Sequence, residues 1–348
     1  MPAFAGKCPI TIRRNTVDVN KGSNHPIILA IDDNPLILDG YVGLLREKGY
    51  EVLTALTHQS ALTIIEKINR PVIILLDWWH NDKEGKRISA AKLPSELTPL
   101  SRFPPLIIVI TTDDSIAAEQ AAIAAGATWF LPKARIELLA DNVDRAVNHF
   151  RTIMQLWSDP VTKALKRDPM YEAMVGELTR AFRSKASIAC VMFDLNKFKP
   201  INDTYGHDIG DAVLCSVNES LRLNIRSHID ILCRYGGDEF VVFLINITES
   251  EVRRFIEKAC KAIAVNKVIT TNKDGLEVGV GVTSSAGFSM ITHEDIIARL
   301  SYQNSSTEHP NREEQVRAFF GLINDAIKKA DTKMFAEKER NKSTGVKK

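Results

Sequence analysis

The segment 234–240, with the sequence Arg-Tyr-Gly-Gly-Asp-Glu-Phe, constrains the fold of this chain more than any other. Apolar, strand-like runs flank it at 229–232 and 240–245, which predicts a β-hairpin whose tip carries Gly236 and Gly237. We expect both glycines to take the positive φ values that tight turns favour. Two adjacent carboxylates at such a tip repel each other, and a divalent cation would relieve that repulsion. Taken alone, the motif also fits an ordinary solvated turn.

A second motif of polar residues follows another strand-like run. Apolar residues 188–193 end at Asp194, and a polar segment containing Gly206 and Gly210 then leads into a helix expected to begin near Asp211. Together the two motifs resemble the GGDEF family, the diguanylate cyclases, which join two GTP molecules into cyclic di-GMP. The resemblance runs from about residue 159 to 342, and several separated motifs agree in order and spacing. It implies an α+β domain with a mainly antiparallel central sheet, similar to the nucleotidyl cyclases.

The same resemblance implies which residues perform the chemistry. Asp194 and Glu239 would ligate two Mg²⁺ ions per GTP site, assisted by the Leu195 carbonyl, and Mn²⁺ can substitute. Asp238 would deprotonate the attacking 3′-hydroxyl or steady the transition state. Because each such domain holds a single GTP, the resemblance also implies that two domains must face each other.

Further residues are implied to bind the substrate GTP. Asp211 would accept hydrogen bonds from the guanine N1–H and N2–H₂ groups, with Asn202 as a second reader. His207 lies in the same motif, where it either supports the loop or takes part in catalysis. Lys342 stands where the family usually has arginine, which would loosen phosphate recognition. The resemblance implies further contacts to the nucleotide from Phe198, Lys199, Gly237 and Lys338, in addition to Lys342.

The first half of the chain alternates short apolar runs with amphipathic stretches. The apolar runs are typical of strands buried in a parallel sheet, and they lie at 27–31, 72–76, 106–110 and 128–131. Amphipathic stretches such as 36–48 and 116–125 separate them, and Gly126 ends the second stretch. This alternation predicts a doubly wound α/β domain with its site at the carboxyl ends of the strands.

Polar side chains stand at those strand ends. Asp32 and Asp33 follow the run at 27–31, Asp77 follows that at 72–76, Thr111 that at 106–110, and Lys133 stands just after the run at 128–131. Singly, each aspartate could be a strand-end cap or turn former. Three carboxylates and a lysine that converge on one edge of a sheet require a cation, and Mg²⁺ prefers such oxygen ligands.

This set resembles the receiver domain of response regulators, a flavodoxin-like fold with a five-stranded parallel sheet. The resemblance implies that Asp77 accepts a phosphoryl group from a cognate histidine kinase or phosphotransfer protein. Asp32 and Asp33 would hold one Mg²⁺ with Asp77 and the Trp79 carbonyl. Three further positions would contact the phosphoryl group or switch on its arrival: Thr111, Lys133 and Phe130. A degenerate receiver that is not phosphorylated is the alternative.

An apolar seam with a period of 3.5 residues connects the two halves. Its members are Ile136, Leu139, Val143, Ala146, Phe150, Ile153 and Trp157. We expect the last three to lie beyond the receiver core and to pair in a parallel homodimer. The predicted organisation is a tail at 1–25, a receiver core at 26–134, a helical stalk at 135–158 and a GGDEF domain at 159–348.

Three departures from the family pattern carry further expectations. The first motif of the GGDEF domain, at 159–167, has Lys163 where glycine is usual and Lys166 where asparagine is usual. Ser227 replaces the arginine of the Arg-x-x-Asp product-inhibition site that ends at Asp230, so we predict weak or absent inhibition by cyclic di-GMP. Residues 301–312, rich in Ser, Asn and Gln, are predicted to form an inserted surface loop.

Composition excludes several function classes. A net charge of +2 without a basic stripe argues against nucleic-acid binding, and no apolar run approaches the length of a membrane-spanning helix. Five dispersed cysteines fit a reducing cytoplasm. The expected protein is a phosphorylation-regulated, homodimeric diguanylate cyclase. The alternatives are a catalytically silent module that binds GTP or cyclic di-GMP, and a phospho-dependent scaffold.

Overall fold

The computed structural model describes residues 26–68, 70–81, 87–98, 101, 103–226, 229–271, 276–303 and 312–343. A parallel sheet forms the first domain and a separate antiparallel sheet forms the second. The predicted two-domain α/β class is therefore confirmed.

The N-terminal domain is built on a five-stranded parallel sheet in the order β2-β1-β3-β6-β7. Its strands, with a short hairpin of β4 and β5 beside the sheet, are β1 (Ile27–Ile31), β2 (Val52–Ala55), β3 (Val72–Asp77), β4 (Trp79–Asn81), β5 (Arg87–Ser89), β6 (Leu106–Thr111) and β7 (Trp129–Pro132). Its helices are α1 (Pro35–Glu47), α2 (His58–Ile65), α3 (Leu93–Leu97), α4 (Ile116–Ala124) and α5 (Leu139–Trp157), with a 3₁₀ turn at Lys133–Leu138. Helices α1 and α5 cover one face of the sheet, and α2 to α4 cover the other.

The end of the predicted apolar seam lies in helix α5 and is not free. Phe150 is buried with the N-terminal core, and Ile153 and Trp157 pack against that core. The ring of Phe103, from the loop before β6, lies 6.4 Å from the Phe150 ring and 6.1 Å from the Trp157 ring. The expectation that these three residues lie beyond the core of this domain is wrong, because Phe150 is buried in that core and Ile153 and Trp157 are partly buried against it.

The C-terminal domain has a four-stranded antiparallel sheet in the order β13-β8-β10-β9. Its strands are β8 (Ile188–Asn196), β9 (Ile231–Gly236), β10 (Glu239–Ile245), β11 (Val268–Thr271), β12 (Glu277–Val280) and β13 (Thr283–Ile291), with β11 and β12 forming a separate hairpin. Its helices are α6 (Arg167–Ser184), α7 (Phe198–Tyr205), α8 (His207–Asn224), α9 (Glu249–Val265), α10 (His293–Gln303) and α11 (Arg312–Ser343). Apolar cores lie on both faces of the sheet, one beneath α6, α10 and α11 and the other beneath α8 and α9.

Two boundaries differ from the sequence predictions. The helix expected near Asp211 begins at His207, because Gly206 takes a φ of +87° and separates α7 from α8. Residues 301–303 of the predicted surface loop belong to α10, and α11 begins at Arg312. The rest of that loop, 304–311, lies outside the described residues, as does the predicted tail at 1–25.

Glycine at position 287 lets α11 pack directly on β13. A Cβ atom built there would lie 2.2 Å from the Met334 amide nitrogen and 2.3 Å from the Ala330 carbonyl oxygen. Both obstacles are backbone atoms, so no side-chain rotation can relieve the overlap. The position of α11, which carries Lys338, therefore depends on this contact.

Gly287→Ala should lower the free energy of unfolding of the C-terminal domain by about 1–3 kcal/mol, because α11 must shift from the sheet. Gly321→Ala, on the same helix, is the matched control. Its added Cβ would meet only the end of the Arg299 side chain, at 3.1 Å, so urea unfolding should show little loss. Equal losses in the two variants would contradict the packing argument.

The two domains contact each other beside the end of α2. The Arg183 guanidinium forms an ion pair with Glu66 at 2.8 Å, and Arg180 donates to the Ile68 carbonyl at 3.1 Å. Arg180 is also paired with the buried carboxylate of Glu177. Helix α6 of the C-terminal domain is thereby joined to the N-terminal domain. No helix within the described ranges is long and apolar enough to cross a membrane.

Candidate functional site

The hairpin of β9 and β10 places its tip at Gly237 and Asp238, as the sequence predicts. The expected positive φ values are wrong, because neither Gly236 nor Gly237 has one. Glycine at 236 provides space instead: a Cβ there would lie 3.0 Å from the Glu239 carboxylate. Around Gly237 a Cβ would meet no atom within 4 Å. The tip therefore leaves room for a carboxylate on one side and for an incoming molecule on the other.

Carboxylates from three elements meet beside this tip. Glu239 lies directly opposite Asp194 in the antiparallel pairing of β10 with β8. Burial raises the pKa of Glu239, and the nearby charges of Asp194, Asp238 and Asp331 raise it further. Lys338, from α11, forms an ion pair with Asp194. The positive charge of Lys338 does not balance the negative charges of this acidic group. Carboxylate oxygens of this kind are suitable ligands for a divalent cation.

Backbone atoms hold the two strands in register at the site. The Leu195 amide donates to the Asp238 carbonyl at 3.3 Å. The carbonyl of Leu195 was predicted as a metal ligand, and that role remains a prediction. Together, Asp194, Asp238, Glu239 and Lys338 are the sequence-predicted residues that the fold gathers in one place.

One of the predicted guanine readers, Asn202, has a buried amide oxygen. Asn202, in α7, has an Oδ1 atom without a hydrogen-bond partner among the described residues. A Cβ on Gly210 of α8 would lie only 1.7 Å from that oxygen, so glycine is required for the two helices to meet. Asp211 follows Gly210 and is exposed. A bound base that offers N–H donors would satisfy the unpaired Asn202 oxygen.

The other predicted substrate contacts are less clearly placed. Phe198 is buried in the core beneath α8 and α9, so only its backbone can reach a ligand. Lys199 and His207 are exposed, and neither role is tested. Lys342 lies in α11, but its side chain is outside the described part of the structure.

Sequence reasoning missed the role of Arg234. Its guanidinium pairs with Asp159 at 3.0 Å and also donates to the Gly237 carbonyl at 2.8 Å. Burial opposes ionisation of Asp159, but hydrogen bonds from Thr162 and Arg234 outweigh it and lower the pKa of the carboxyl group. Arg234 thus joins the hairpin tip to the first residues after α5.

The unusual lysines of this junction have distinct positions. Lys163 takes a φ of +63°, the left-handed region in which glycine is favoured. The Lys166 ammonium donates to the Leu156 carbonyl at 2.8 Å, at the C-terminal end of α5. Lysine at 163 therefore strains the backbone, whereas lysine at 166 satisfies a helix end.

A second polar group lies at the carboxyl ends of the parallel strands. Carboxylate oxygens of Asp32, Asp33 and Asp77 all lie within 4.8 Å of one another. Lys133 bridges two of them, at 2.9 Å from Asp32 and 3.2 Å from Asp77. Burial raises the pKa of Asp77 to about 6, with Lys133 opposing the shift and Asp32 adding to it. This oxygen-rich donor set fits Mg²⁺.

The other predicted residues of this group lie around the aspartates as follows, and their roles stay predictions. Thr111 is fully buried at the end of β6, and its hydroxyl accepts from the Asp113 amide at 3.1 Å. Trp79 begins β4, and its backbone amide donates to Asp77. Phe130 is half-buried against the core beneath α2 to α4.

A cavity of about 1480 Å³ runs along β13 between α9 and α11. It reaches the carboxylate site only through Asn196, Lys197 and Lys338, and the predicted guanine readers do not line it. The acidic residues and the predicted guanine readers therefore lie outside this cavity.

Two protein families match the chain. The family described as "Response regulator receiver domain" matches residues 28–143. The family described as "Diguanylate cyclase, GGDEF domain" matches residues 156–303.

Curated relatives match part of the chain. Diguanylate cyclase DosC of Escherichia coli is 32% identical over 36% of this chain and 27% of its own length. Response regulator PleD of Caulobacter vibrioides is 32% identical over 37% of this chain and 29% of its own. Diguanylate cyclase A of Treponema denticola is 28% identical over 47% and 45%, respectively. The chain thus spans less than half of the length of each of these relatives.

Among solved structures, diguanylate cyclase SiaD of Pseudomonas aeruginosa, in complex with its activator SiaC, superimposes with a TM-score of 0.41. That match has 23% identity and covers 60% of this chain and 69% of the SiaD chain.

Proposed function

Since the chain is a response regulator in which a receiver domain precedes a GGDEF domain of the diguanylate cyclase family, we propose that it condenses two GTP into cyclic di-GMP and two pyrophosphates. The observation that carries this proposal is the pairing of Asp194 with Glu239 beside Lys338. Asp238 at the hairpin tip and Asp194 on the neighbouring strand β8 add to this acidic set and support the proposal. The intact Asp194, Asp238 and Glu239 argue against a catalytically silent binding module.

Each residue then has a chemical task. Asp194 and Glu239 would hold two Mg²⁺ ions, which when bound would activate the 3′-hydroxyl and neutralise the leaving pyrophosphate. Asp238 takes the hydroxyl proton or steadies the transition state. Lys338, now paired with Asp194, is placed to turn its ammonium toward the triphosphate.

Guanine selection follows from complementary hydrogen bonds. The Asp211 carboxylate accepts from N1–H and N2–H₂, and the unpaired Asn202 oxygen accepts from the same edge. Adenine lacks this donor pair, so ATP leaves a buried acceptor unsatisfied and is rejected.

Control is proposed to come from phosphorylation of Asp77 by a cognate kinase or phosphotransfer protein. Because each GGDEF domain holds one GTP, the active form is a homodimer in which two sites face each other. The seam residues Phe150, Ile153 and Trp157 of α5 pack on the receiver core, so the receivers are expected to supply most of the pairing surface. We place the protein in the cytoplasm, where the dispersed cysteines remain reduced.

Turnover of GTP tests the proposal directly. The full chain is incubated with GTP and Mg²⁺, with and without beryllofluoride as a phosphoryl mimic, and the nucleotides are separated by chromatography. Cyclic di-GMP that increases with the mimic supports both the enzyme and its control. A folded protein that binds GTP but forms no product in either state would instead be a binding module.

We also propose that product inhibition is weak. Asp230 is buried, and its carboxylate accepts hydrogen bonds from the Arg226 side chain and from the amide of Ile245 at 3.0 Å. Both oxygens of Asp230 thus serve the fold, and Arg226 is held against them. Ser227 lies outside the described residues.

Cyclic di-GMP added at micromolar levels should therefore leave the initial rate within about twofold of its value without product. Ser227→Arg restores the arginine of the family pattern, but Arg226 still occupies the Asp230 carboxylate in this variant, so it should also keep its initial rate. Strong inhibition of the unaltered protein would contradict the prediction.

A further inference from the structure

A buried hydroxyl beneath the aspartate group of the receiver has no explanation in the fold. Tyr41, in α1, is only 5% exposed, and its hydroxyl has no hydrogen-bond partner among the residues that the structure describes. An unpaired buried hydroxyl destabilises a folded protein, whereas phenylalanine in the same place would not. We therefore expect the Tyr41 hydroxyl to gain a hydrogen-bond partner when a ligand binds.

The sheet register places this hydroxyl on the side of the aspartates. Ala30 of β1 pairs with Leu75 of β3, and both belong to the core cluster that contains Tyr41. Side chains alternate along a strand, so Asp32 and Asp77, each two residues farther on, project from the same face.

Helix geometry and electrostatics agree with this placement. Side chains in a helix lean toward its N-terminus, and α1 begins at Pro35, just after the acidic pair. Burial raises the pKa of the Tyr41 phenol, and the charges of Asp32 and Asp77 raise it further. The charges of both carboxylates thus act on the phenol, although neither accepts a hydrogen bond from it.

We infer that Tyr41 is a positioning residue of the receiver site, whose hydroxyl donates a hydrogen bond to water that enters with Mg²⁺. This inference rests on the proposed loading of the Asp77 site. Mg²⁺ retains several waters in protein sites, and a buried water needs two to four polar partners. Tyr41, Asp32 and Asp77 would supply such a set of polar partners for the water.

The test compares Tyr41→Phe with the unaltered full chain and with Tyr50→Phe as a matched control. Tyr50 packs on the same core, but its hydroxyl already bonds to Asp144. Mg²⁺ is titrated while the tryptophan fluorescence of the chain is recorded, to which Trp78 and Trp79, directly after Asp77, contribute. Thermal melting is measured without Mg²⁺.

Tyr41→Phe should raise the Mg²⁺ dissociation constant roughly tenfold, the effect of one hydrogen bond in a charged site, without lowering the melting temperature. Tyr50→Phe should keep the affinity for Mg²⁺ and melt earlier. Unchanged affinity in Tyr41→Phe would overturn the inference while leaving the Mg²⁺ site in place. A wild-type chain that binds no Mg²⁺ near these tryptophans would overturn the proposed receiver site as well.

Discussion

Glu239→Gln should reduce formation of cyclic di-GMP on the order of a thousandfold, as expected when several kcal/mol of transition-state stabilisation is lost. Glutamine keeps the size of the side chain but cannot carry the charge that a divalent cation requires. In the unaltered protein, burial and the neighbouring Asp194 and Asp238 already raise the pKa of Glu239. Removing this repulsion should leave the fold intact, so the variant should melt no earlier than the wild type.

Asp331→Asn is the matched control for this substitution. Asp331, in α11, also raises the pKa of Glu239 through its charge, but it lies outside the β8–β10 pairing. Product separated by chromatography should show near wild-type turnover for Asp331→Asn. Comparable losses in both variants would mean that net charge around the tip, and not ligation by Glu239, limits the reaction.

The positions of the receiver's acidic residues could be predicted from the sequence because the strands that precede them are clear apolar runs. Strands β1, β3 and β6 are buried along their whole length and read as unbroken apolar runs. Polar residues that end such runs must meet at one edge of a parallel sheet, and Asp32 and Asp77 do so. Strand β2 is only partly buried, so its short run gave no comparable signal.

Other features depend on partners that are distant in sequence. The 3.5-residue period of α5 predicts an apolar stripe, but it does not say which surface covers it, and Phe103 could not be foreseen. Arg234 forms an ion pair with Asp159, which lies 75 positions earlier in the sequence. Such pairings become visible only once the strands and helices are assembled.

The glycines of the hairpin illustrate a different limit. A sequence shows that a side chain is missing, but not whether the backbone needs positive φ or the neighbours need space. At Gly236 the need is space for Glu239, whereas at Gly206 it is backbone conformation, with a φ of +87°. Gly287 is a third case, in which a helix backbone occupies the place of the side chain.

The second large effect is expected at the receiver, where Asp77→Asn should abolish stimulation by beryllofluoride and also stabilise the unliganded domain. The pKa of Asp77 is raised from 3.8 to about 6, chiefly by burial, so the folded chain resists ionisation of this group. A neutral asparagine removes that cost. The gain should be about 1–3 kcal/mol at neutral pH, reduced by the loss of the ion pair with Lys133.

The pH dependence gives this prediction its sign. Above about pH 6 Asp77 is ionised in both the folded and the unfolded chain, so the full advantage of Asp77→Asn should appear. As the pH falls toward about 4, the folded wild type takes up a proton first and the advantage disappears. Asp33→Asn removes an exposed acid of the same group and therefore little burial cost, so it should give no comparable gain in thermal melting. If Asp77→Asn still responded to beryllofluoride, control would have to enter through another residue, and the contact of Arg180 and Arg183 with the receiver would be the next place to look.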